Sequence, residues 1–326
     1  MIYGGKEKTM TARLTFLHAL SPLHPGTGQG AGVIDLPIAR EKATGLPYLP
    51  GSSLKGTLRA QFDPGSLECR QVFGPEATEV QADNNHASSV QFSDQRLLLL
   101  PVRSLAGTFA WVTSPYILGR FARDMKDARF ALPPKLEAQK EIPHLQGETS
   151  SVVTGATSKV VVDTSVYLED LKLEHIQTGE SGIAEAWAEW IAEQVFPGDR
   201  YWQGMLKERF CIVHDDVLSF LLETATEIIA RIKLKTEAKT VEESGLWYEE
   251  ALPAETILSG IALATPTTAA GIKAERVFEI LAQATGRTLQ FGGKATVGRG
   301  LCRLLLVKGT EVSQKPGKES ETDANA

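Results

Sequence analysis

A histidine and an isolated acid lie in one turn-rich segment, LSPLHPGTGQGAGVIDLPIARE, over residues 20–41. The glycines of this segment leave backbone amides open to close approach by phosphate groups. Asp35 stands among apolar residues, where a carboxylate serves either a reactive site or a turn. His24 precedes a proline, and an unperturbed histidine titrates at about pH 6.5, so it can exchange protons or serve the structure. The segment is the first candidate for a functional loop.

A second segment, LPGSSLKGTLRAQF, offers cations beside a helix start. Ser52 and Ser53 suit the first turn of a helix that opens after Gly51. Lys55 and Arg59 are four residues apart and therefore share one face of that helix. The helix N-terminus adds a favourable potential for phosphate. The alternative is a basic face that meets only solvent.

A third segment, GGKATVGRG, is a glycine-rich turn between two strand candidates. Its potential phosphate contacts are Gly292, Gly293, Lys294, Gly298, Arg299 and Gly300. The glycine spacing imitates a phosphate loop, but Arg-Gly follows where Lys-Ser/Thr is required. GTGQGA, in the first segment, likewise matches a dinucleotide pattern, but an extended stretch interrupted by Pro37 follows where a helix is required. Nucleotide hydrolysis and dinucleotide binding are thereby disfavoured, and a plain strand connection remains an alternative for the third segment.

Adjacent aromatic and acidic residues occur in a fourth segment, GLWYEEALPAETILSG. Trp247 and Tyr248 suit a core. Because side-by-side residues do not share one face, Glu249 and Glu250 are not expected to act together. The simplest interpretation leaves both acids facing solvent.

Composition places the 326-residue chain among soluble globular proteins, with 42% hydrophobic and 23% charged residues. No apolar run of about 18 residues suggests a membrane span, and MIYGGKEKTM lacks the apolar stretch of a secretion signal, so we expect a cytoplasmic protein without a membrane partner. Cys69, Cys211 and Cys302 are too far apart to predict a disulfide or zinc site. With a net charge of −6, any nucleic acid must bind a local cationic track.

The elements that must position these segments alternate along the chain. Strand candidates are RLTFLHAL, SVQFSDQRLLLLPVRS, KERFCIVH, ETILSGIALA, LQFGG and GLCRLLLV, and SKVVVDTSVYLEDLKLE alternates like a hairpin arm. Apolar spacing predicts helices in SPYILGRFARDMKDARF, GIAEAWAEWIAEQV, DDVLSFLLETATEIIARIKL and IKAERVFEILAQATG. Strands at both ends with helices between them predict an α+β fold, a ferredoxin-like βαββαβ core carrying insertions at about 63–90 and 125–250. The polar tail, 310–326, is predicted to be disordered.

Four blocks, taken in order, carry a family resemblance: HALSPLHPGTGQGAGVIDLPIAREKATGLPYLPGSSLKGTLR, FSDQRLLLLPVRSLAGTFAWVTSPY, LWYEEALPAET and FGGKATVGRGLCR. Together they resemble the backbone ribonuclease subunits of type III-B (Cmr) CRISPR complexes, in the repeat-associated mysterious protein (RAMP) family. The resemblance runs from about residue 13 to 307. We therefore expect a short N-terminal extension over 1–10 and one RAMP domain over 11–309.

The resemblance implies a modified RNA-recognition fold with a protruding thumb hairpin. It also implies that several copies of the chain stack along a CRISPR RNA with other subunits of the complex, and that complementary target RNA is cleaved at regular intervals in a metal-dependent reaction. By motif, the essential acid is Asp35, which would also hold the divalent ion, Mg²⁺ or Mn²⁺. His24, Glu249 and Glu250 are possible catalytic support. RNA binding falls to Ser52, Ser53, Lys55 and Arg59 and to the glycine-rich turn.

This reaction needs little from the protein. A ribose 2′-hydroxyl can attack its own phosphate once a displaced nucleotide kinks the backbone into line. Base pairing reads the sequence, so the protein contacts only backbone and shape, and an acidic chain can still bind RNA. Two other classes stay open: a catalytically silent guide-RNA scaffold and an unrelated phosphate-loop enzyme. Asp35 in its family context favours the ribonuclease.

Overall fold

The computed structural model describes residues 10–27, 34–75, 87–132, 136, 145, 149–176, 181–234, 241–265 and 271–309. The first nine residues, the tail from residue 310 and parts of both predicted insertions lie outside the described residues, as does part of the first glycine-rich segment. The predictions made for those stretches are therefore not addressed by the structure.

The described residues form fifteen strands and seven α-helices. The strands are β1 (Thr11–Ala19), β2 (Tyr48–Leu49), β3 (Val90–Phe92), β4 (Gln95–Arg103), β5 (Phe109–Thr113), β6 (Ser151–Thr154), β7 (Val161–Val162), β8 (Ser165–Leu168), β9 (Leu171–Ile176), β10 (Phe210–Val213), β11 (Glu227–Leu234), β12 (Val241–Ala251), β13 (Ile257–Ala264), β14 (Thr288–Gln290) and β15 (Leu301–Val307). The helices are α1 (Gly51–Arg59), α2 (Leu67–Phe73), α3 (Pro115–Asp127), α4 (Ser181–Val195), α5 (Arg200–Arg209), α6 (Asp215–Thr224) and α7 (Ala274–Ala284). A short 3₁₀ turn covers Ala295–Val297.

Thirteen of these strands form one large mixed sheet, in the order β14-β15-β1-β13-β4-β5-β10-β6-β9-β8-β7, with β2 on β4 and β3 on β13. Toward the β14 edge of this sheet, β15, β1, β13 and β4 are neighbours and each adjacent pair is antiparallel. The last six residues of β1 are all buried, as expected for a strand covered on both faces. Helix α1 lies between β1 and β4 in the chain, and α7 lies between β13 and β15. The chain is thus a mixed α and β protein, as the sequence predicts.

Local signals fix several element boundaries. Helix α3 begins with Pro115 directly after Ser114, whose side chain accepts a hydrogen bond from the Ile117 N–H. Helix α7 is followed by Gly286, which has a positive φ of 76°.

The three cysteines are free and buried, and burial raises the pKa of the Cys211 thiol to about 12. Among the described helices, none is both long and apolar enough to cross a membrane.

One helix prediction is wrong over half of its length. The predicted helix over DDVLSFLLETATEIIARIKL stops at Thr224, and its second half is strand β11. β11 pairs antiparallel with β12 as a two-stranded sheet separate from the large one. The spacing of the β-branched isoleucines in β11 fits both the helical and the strand repeat. Pairing with β12 favours the strand.

Helix α1 begins at Gly51, so Ser52 and Ser53 lie in its first turn, as predicted. Pro50 is the N-cap and provides no side-chain hydrogen bond, so neither Ser52 nor Ser53 caps the helix. Instead Asp94 Oδ1, from the turn between β3 and β4, accepts a hydrogen bond from the Gly51 N–H at 2.9 Å. A distant carboxylate therefore satisfies the first amide of α1.

Candidate functional site

The two halves of the first segment lie side by side and both attach to β12. Gly26 forms an antiparallel bridge with Ile38, and the Ala39 N–H donates to Pro25 O at 2.7 Å. Leu36 bridges β12 in the parallel sense, with hydrogen bonds to the backbone of Tyr248 and Glu250. Pro37 favours the extended backbone of this stretch. The fold thereby brings His24 and Asp35 to the same strand end.

The Asp35 side chain is exposed, and a hydrogen bond to one of its two carboxylate oxygens holds it in place. Its Oδ2 accepts a hydrogen bond from the Tyr248 N–H at 2.8 Å. Its Oδ1 accepts no hydrogen bond from any residue that the structure describes. The carboxylate is therefore oriented by the backbone while one oxygen stays available to a ligand.

His24 is buried, with 5% of its surface exposed. Its Nδ1 lies 2.6 Å from the backbone carbonyl oxygen of Glu250. A carbonyl can only accept, so Nδ1 carries the proton, and in the neutral ring Nε2 holds the lone pair. A Cβ on Gly26 would stand 2.6 Å from His24 Nε2. The absence of a side chain at Gly26 therefore leaves the space beside Nε2 open.

Glu250 contacts both His24 and the segment that follows Asp35. Its side chain does not face solvent, so the interpretation of this acid as solvent-facing is wrong. It is 3% exposed. Its Oε1 accepts from Arg40 Nη2 at 2.6 Å and its Oε2 from the Ile38 N–H at 3.0 Å. Both oxygens are occupied by partners inside the protein, so the carboxylate stabilises the site and is not free to contact RNA.

Glu249 is also buried, with 4% of its surface exposed. Its partners differ from those of Glu250. Its Oε1 accepts from Trp247 Nε1 at 2.9 Å and lies 3.0 Å from Lys294 Nζ, and its Oε2 accepts from Arg231 Nε at 3.3 Å. Burial favours the neutral acid, but the hydrogen bonds from Trp247 and Lys294 and the charges of Lys294 and Arg231 outweigh it. The pKa of Glu249 is therefore lowered. The expectation that Tyr248 belongs to the core is also wrong, since its side chain is exposed.

The glycine-rich turn packs directly on the His24 segment. The Gly293 N–H donates to His24 O at 2.9 Å, and the Gly300 N–H donates to Pro22 O at 2.8 Å. A Cβ on Gly300 would stand 1.9 Å from Phe291 O, and one on Gly292 would stand 2.5 Å from His24 O. These two glycines are therefore required by packing. Gly298 also has a positive φ, of 79°, but a Cβ there would meet open space.

The two cations of this turn are engaged by the β11–β12 hairpin. Lys294 pairs with Glu249. Arg299 is 5% exposed, and its Nη1 donates to Glu227 Oε2 at 3.3 Å. The predicted RNA contact through the Arg299 guanidinium is therefore not presented at the surface, and this side chain connects the turn to β11.

The basic residues of α1 lie near the turn. Thr57 Oγ1 donates to Gln290 O at 3.3 Å, which places α1 beside β14, the strand that leads into the turn. Lys55 and Arg59 are half-buried, Ser52 is exposed and Ser53 is half-buried. Burial, and then repulsion by Arg59, lowers the pKa of Lys55. Lys55 and Arg59, four residues apart, thus share one face of a helix that lies beside β14.

Few protein ligands for a metal surround Asp35 in the part of the chain that the structure describes. Within the described ranges, no group of three or more His, Cys, Asp or Glu residues is arranged to hold an ion. The available donor is the free oxygen of Asp35. Mg²⁺ suits such a site, because it is often bound by one or two carboxylates while water and phosphate oxygens complete its shell. Among the described residues the site therefore offers a metal one free carboxylate oxygen, and the metal predicted from the sequence would need further ligands.

Sequence reasoning missed several residues of the site, namely Gly26, Arg40, Glu227 and Arg231. Their partners are distant in the chain; Arg40 and Glu250, for example, are 210 positions apart. No local spacing signals such pairs. For Gly26 the only signal is its place in the loop that also contains His24.

The RAMP superfamily model matches residues 16–303 of the chain. The chain belongs to the RAMP superfamily. Among curated relatives, the CRISPR system Cmr endoribonuclease Cmr4 of Pyrococcus furiosus is 38% identical over 301 residues, which cover 91% of this chain and 96% of the relative. The CRISPR system CMR subunit Cmr4 of Saccharolobus solfataricus is 26% identical, covering 89% of this chain and 94% of the relative. The RAMP resemblance inferred from the four sequence blocks is thereby confirmed.

Solved structures share the fold. The crystal structure of oligomeric Cmr4 from Pyrococcus furiosus has a TM-score of 0.70 and 32% identity, covering 93% of this chain and 100% of that chain. A cryo-EM structure of the type III-B Cmr-beta complex bound to cognate target RNA contains a chain with a TM-score of 0.66 and 20% identity, covering 90% of this RAMP chain and 96% of that chain. At that identity the second likeness concerns the fold alone.

Proposed function

We propose that this RAMP protein is a backbone subunit of a type III-B CRISPR complex. It binds CRISPR RNA along its length and cleaves the complementary target RNA at regular intervals. The observation that carries the proposal is the exposed carboxylate of Asp35, which the Tyr248 N–H of β12 orients. The same strand accepts the Nδ1 proton of His24 at the carbonyl of Glu250. The name of the Pyrococcus relative, an endoribonuclease, supports the activity.

The partners follow from the same relationships. The CRISPR Cmr names of both curated relatives support RNA and other type III-B subunits as partners, and the oligomeric Pyrococcus structure supports stacking of further copies. Such a complex works in the cytoplasm, where its RNA partners are made.

The strand arrangement supports the finer features of the family fold. The segments β1-α1-β4 and β13-α7-β15 give four antiparallel strands in the order β15-β1-β13-β4. This is the order expected of a ferredoxin-like βαββαβ core. The separate β11–β12 hairpin is the natural candidate for the thumb, and its root carries the attachments of Asp35 and His24. A thumb in this position would displace a nucleotide beside the proposed acid.

The chain's own groups can support attack by a ribose 2′-hydroxyl on the adjacent phosphate. In that reaction the 2′ oxygen forms a bond to phosphorus as the bond to the 5′ oxygen breaks, and the 5′ oxygen takes a proton from water, which yields a cyclic phosphate and a 5′-hydroxyl. His24 Nε2, unprotonated in the neutral ring, can accept the proton of the 2′-hydroxyl. Asp35 supplies negative charge at a fixed position. A divalent ion, Mg²⁺ or Mn²⁺, held through Asp35 would stabilise charge on the phosphate.

RNA contacts fall on the surface that joins α1 to the turn. Lys55 and Arg59 provide charge, and Gly298 leaves space for close approach of a phosphate. Ser52, which is exposed, is a further candidate for a phosphate contact, with Ser53 beside it. Glu249 and Glu250 are buried with cationic partners, so they support the site from behind.

The experiment is target cleavage by the assembled complex. Labelled complementary RNA is incubated with the complex and Mg²⁺ or Mn²⁺, with a chelator as control. We expect a ladder of evenly spaced products that end in cyclic phosphate and that disappear with the chelator. Tight binding of guide and target without a ladder would instead identify the chain as a silent scaffold.

A further inference from the structure

Arg40 is the one cation that contacts the buried carboxylate of Glu250 among the residues that the structure describes. Its Nη2 donates to Glu250 Oε1 at 2.6 Å and to Leu222 O at 2.9 Å, and its Nη1 donates to Gly45 O at 3.0 Å. Leu222 lies in the last turn of α6, where carbonyls lack helical partners and a cation is favoured. The guanidinium is thus held at three acceptors on three different parts of the chain.

Glu250 uses its backbone and its side chain to join the reactive residues. Its N–H donates to Leu36 O at 3.0 Å, and its carbonyl accepts from His24 Nδ1 at 2.6 Å. Its Oε2 accepts from the Ile38 N–H. Leu36 is adjacent to Asp35, so the position of Glu250 determines the separation of Asp35 from His24.

We infer that Arg40 is a positioning residue for RNA cleavage, acting through Glu250 to hold Asp35 and His24 in register. This inference rests on the proposed function. Arg40 is not itself placed to contact RNA, because its guanidinium donates to three protein acceptors. One of these acceptors is the Glu250 carboxylate. Without it, a carboxylate that is 4% exposed loses its cation and has to move toward water or take up a proton.

The role requires the shape of arginine. A planar guanidinium reaches the carboxylate and both carbonyls at once, because its donors diverge in a fixed plane. A lysine keeps the charge and has three N–H donors, but all three are on one nitrogen and cannot span acceptors on β12, α6 and the loop at Gly45. Arg40→Lys is therefore expected to retain the ion pair and lose the connection to α6 and to the loop at Gly45.

The test is single-turnover cleavage by the assembled complex carrying Arg40→Gln, Glu250→Gln or both. We expect Arg40→Gln to lower the cleavage rate on the order of 100-fold while the affinity for target RNA is unchanged, because small misplacement of reacting groups is costly. If Arg40 acts through Glu250, the double variant loses no more than the larger single loss. Arg40→Lys should fall between the parent and Arg40→Gln in both the cleavage rate and the unfolding temperature. Arg103→Gln is the matched control, since Arg103 pairs with Glu169 on the surface and its side chain is 70% exposed.

Three results would overturn the inference. They are a parental rate in Arg40→Gln or Arg40→Lys, additive losses in the double variant, and a loss of guide binding or of thermal stability that accounts for the whole loss of rate. Asp35→Asn is measured in parallel. A parental rate in that variant sinks the proposed site itself, whereas an inactive Asp35→Asn beside a fully active Arg40→Gln removes only the role of Arg40.

Discussion

The backbone N–H of Tyr248 donates a hydrogen bond to Asp35 Oδ2 across 2.8 Å, joining a residue of the first loop to one that follows 213 positions later. Because the donor is the backbone, the side chain of Tyr248 is not needed to orient the acid. The exposed carboxylate is therefore placed by strand β12 itself. This arrangement lets the charge of Asp35 be tested without disturbing its position.

Asp35→Asn should abolish cleavage and leave assembly intact. Asparagine keeps an oxygen that can accept from the Tyr248 N–H, but it removes the negative charge available to a metal or proton. We expect the single-turnover rate to fall by about 10²- to 10⁴-fold, with target affinity and unfolding temperature unchanged. Labelled-RNA gels and filter binding measure the two quantities. Loss of target binding would show instead that Asp35 is structural.

Gly26→Ala should impair cleavage by disturbing His24. The new Cβ would stand 2.6 Å from His24 Nε2, closer than real contacts allow, so the imidazole has to move or the space beside it is lost. The matched control is Gly56→Ala in α1, where a Cβ would have no neighbour within 4 Å. Cleavage rates and unfolding temperatures of the two variants are compared. Equal rates would mean that the space beside Nε2 has no part in the reaction.

Replacing Lys55 and Arg59 together by alanine should weaken guide binding whatever the guide sequence. Each phosphate contact contributes about one unit to the slope of log affinity against log salt, so the slope should fall by up to about two units. Filter binding at several salt concentrations gives both numbers. The control, Arg123→Ala with Lys126→Ala, removes the same charge from α3. The same loss of affinity in the control would attribute the effect to net charge alone.

Two substitutions at Gly298 can distinguish a role in RNA binding from a role in folding. Gly298→Val should strain the backbone by about 1–3 kcal/mol, because φ is positive there, and should also obstruct a phosphate. Gly298→Asn is the informative partner, since asparagine tolerates this conformation while still adding a side chain. We expect Gly298→Asn to bind guide RNA less well at an unchanged unfolding temperature. Unchanged affinity in Gly298→Asn, with instability confined to Gly298→Val, would identify a plain strand connection.

Glu249 should contribute a pH-dependent part of the stability. Its pKa in the folded chain lies below the ordinary value of 4.5, so between these two values the unfolded chain binds more protons at this position. The free energy of unfolding therefore rises with pH in that window, and the contribution is complete above the ordinary value and lost as pH falls through the folded pKa. Urea unfolding between about pH 3 and 6 should show this component in the parent and not in Glu249→Gln. The control Glu223→Gln changes an exposed acid and should keep it.

Much of the fold follows from local signals, and the site does not. The buried run of β1 and the Ser114-Pro115 start of α3 were both predictable, because each depends on residues close in sequence. Strand β11 was not, since Ile228, Ile229 and Ile232 satisfy helical spacing as well as strand pairing. Which spacing prevails depends on β12.

The burial of the two acids on β12 shows the same limit. Glu249 and Glu250 are adjacent and charged, which indicates solvent exposure in any local interpretation. Each is nevertheless buried because a cation from a distant segment meets it, Lys294 in one case and Arg40 in the other. The family resemblance identified Asp35 and His24 as candidates, but the contacts that orient them arise only when β12 is in place.

Three consecutive residues of β12 hold three different parts of the site. Tyr248 holds Asp35, Glu249 holds the glycine-rich turn through Lys294, and Glu250 holds His24. The same strand is one arm of the hairpin outside the large sheet. A tilt of that arm changes all three separations simultaneously, so the acid, the imidazole and the turn cannot be adjusted one at a time. If Asp35 and His24 act as proposed, a displacement of the hairpin would therefore switch the whole site and not one residue of it.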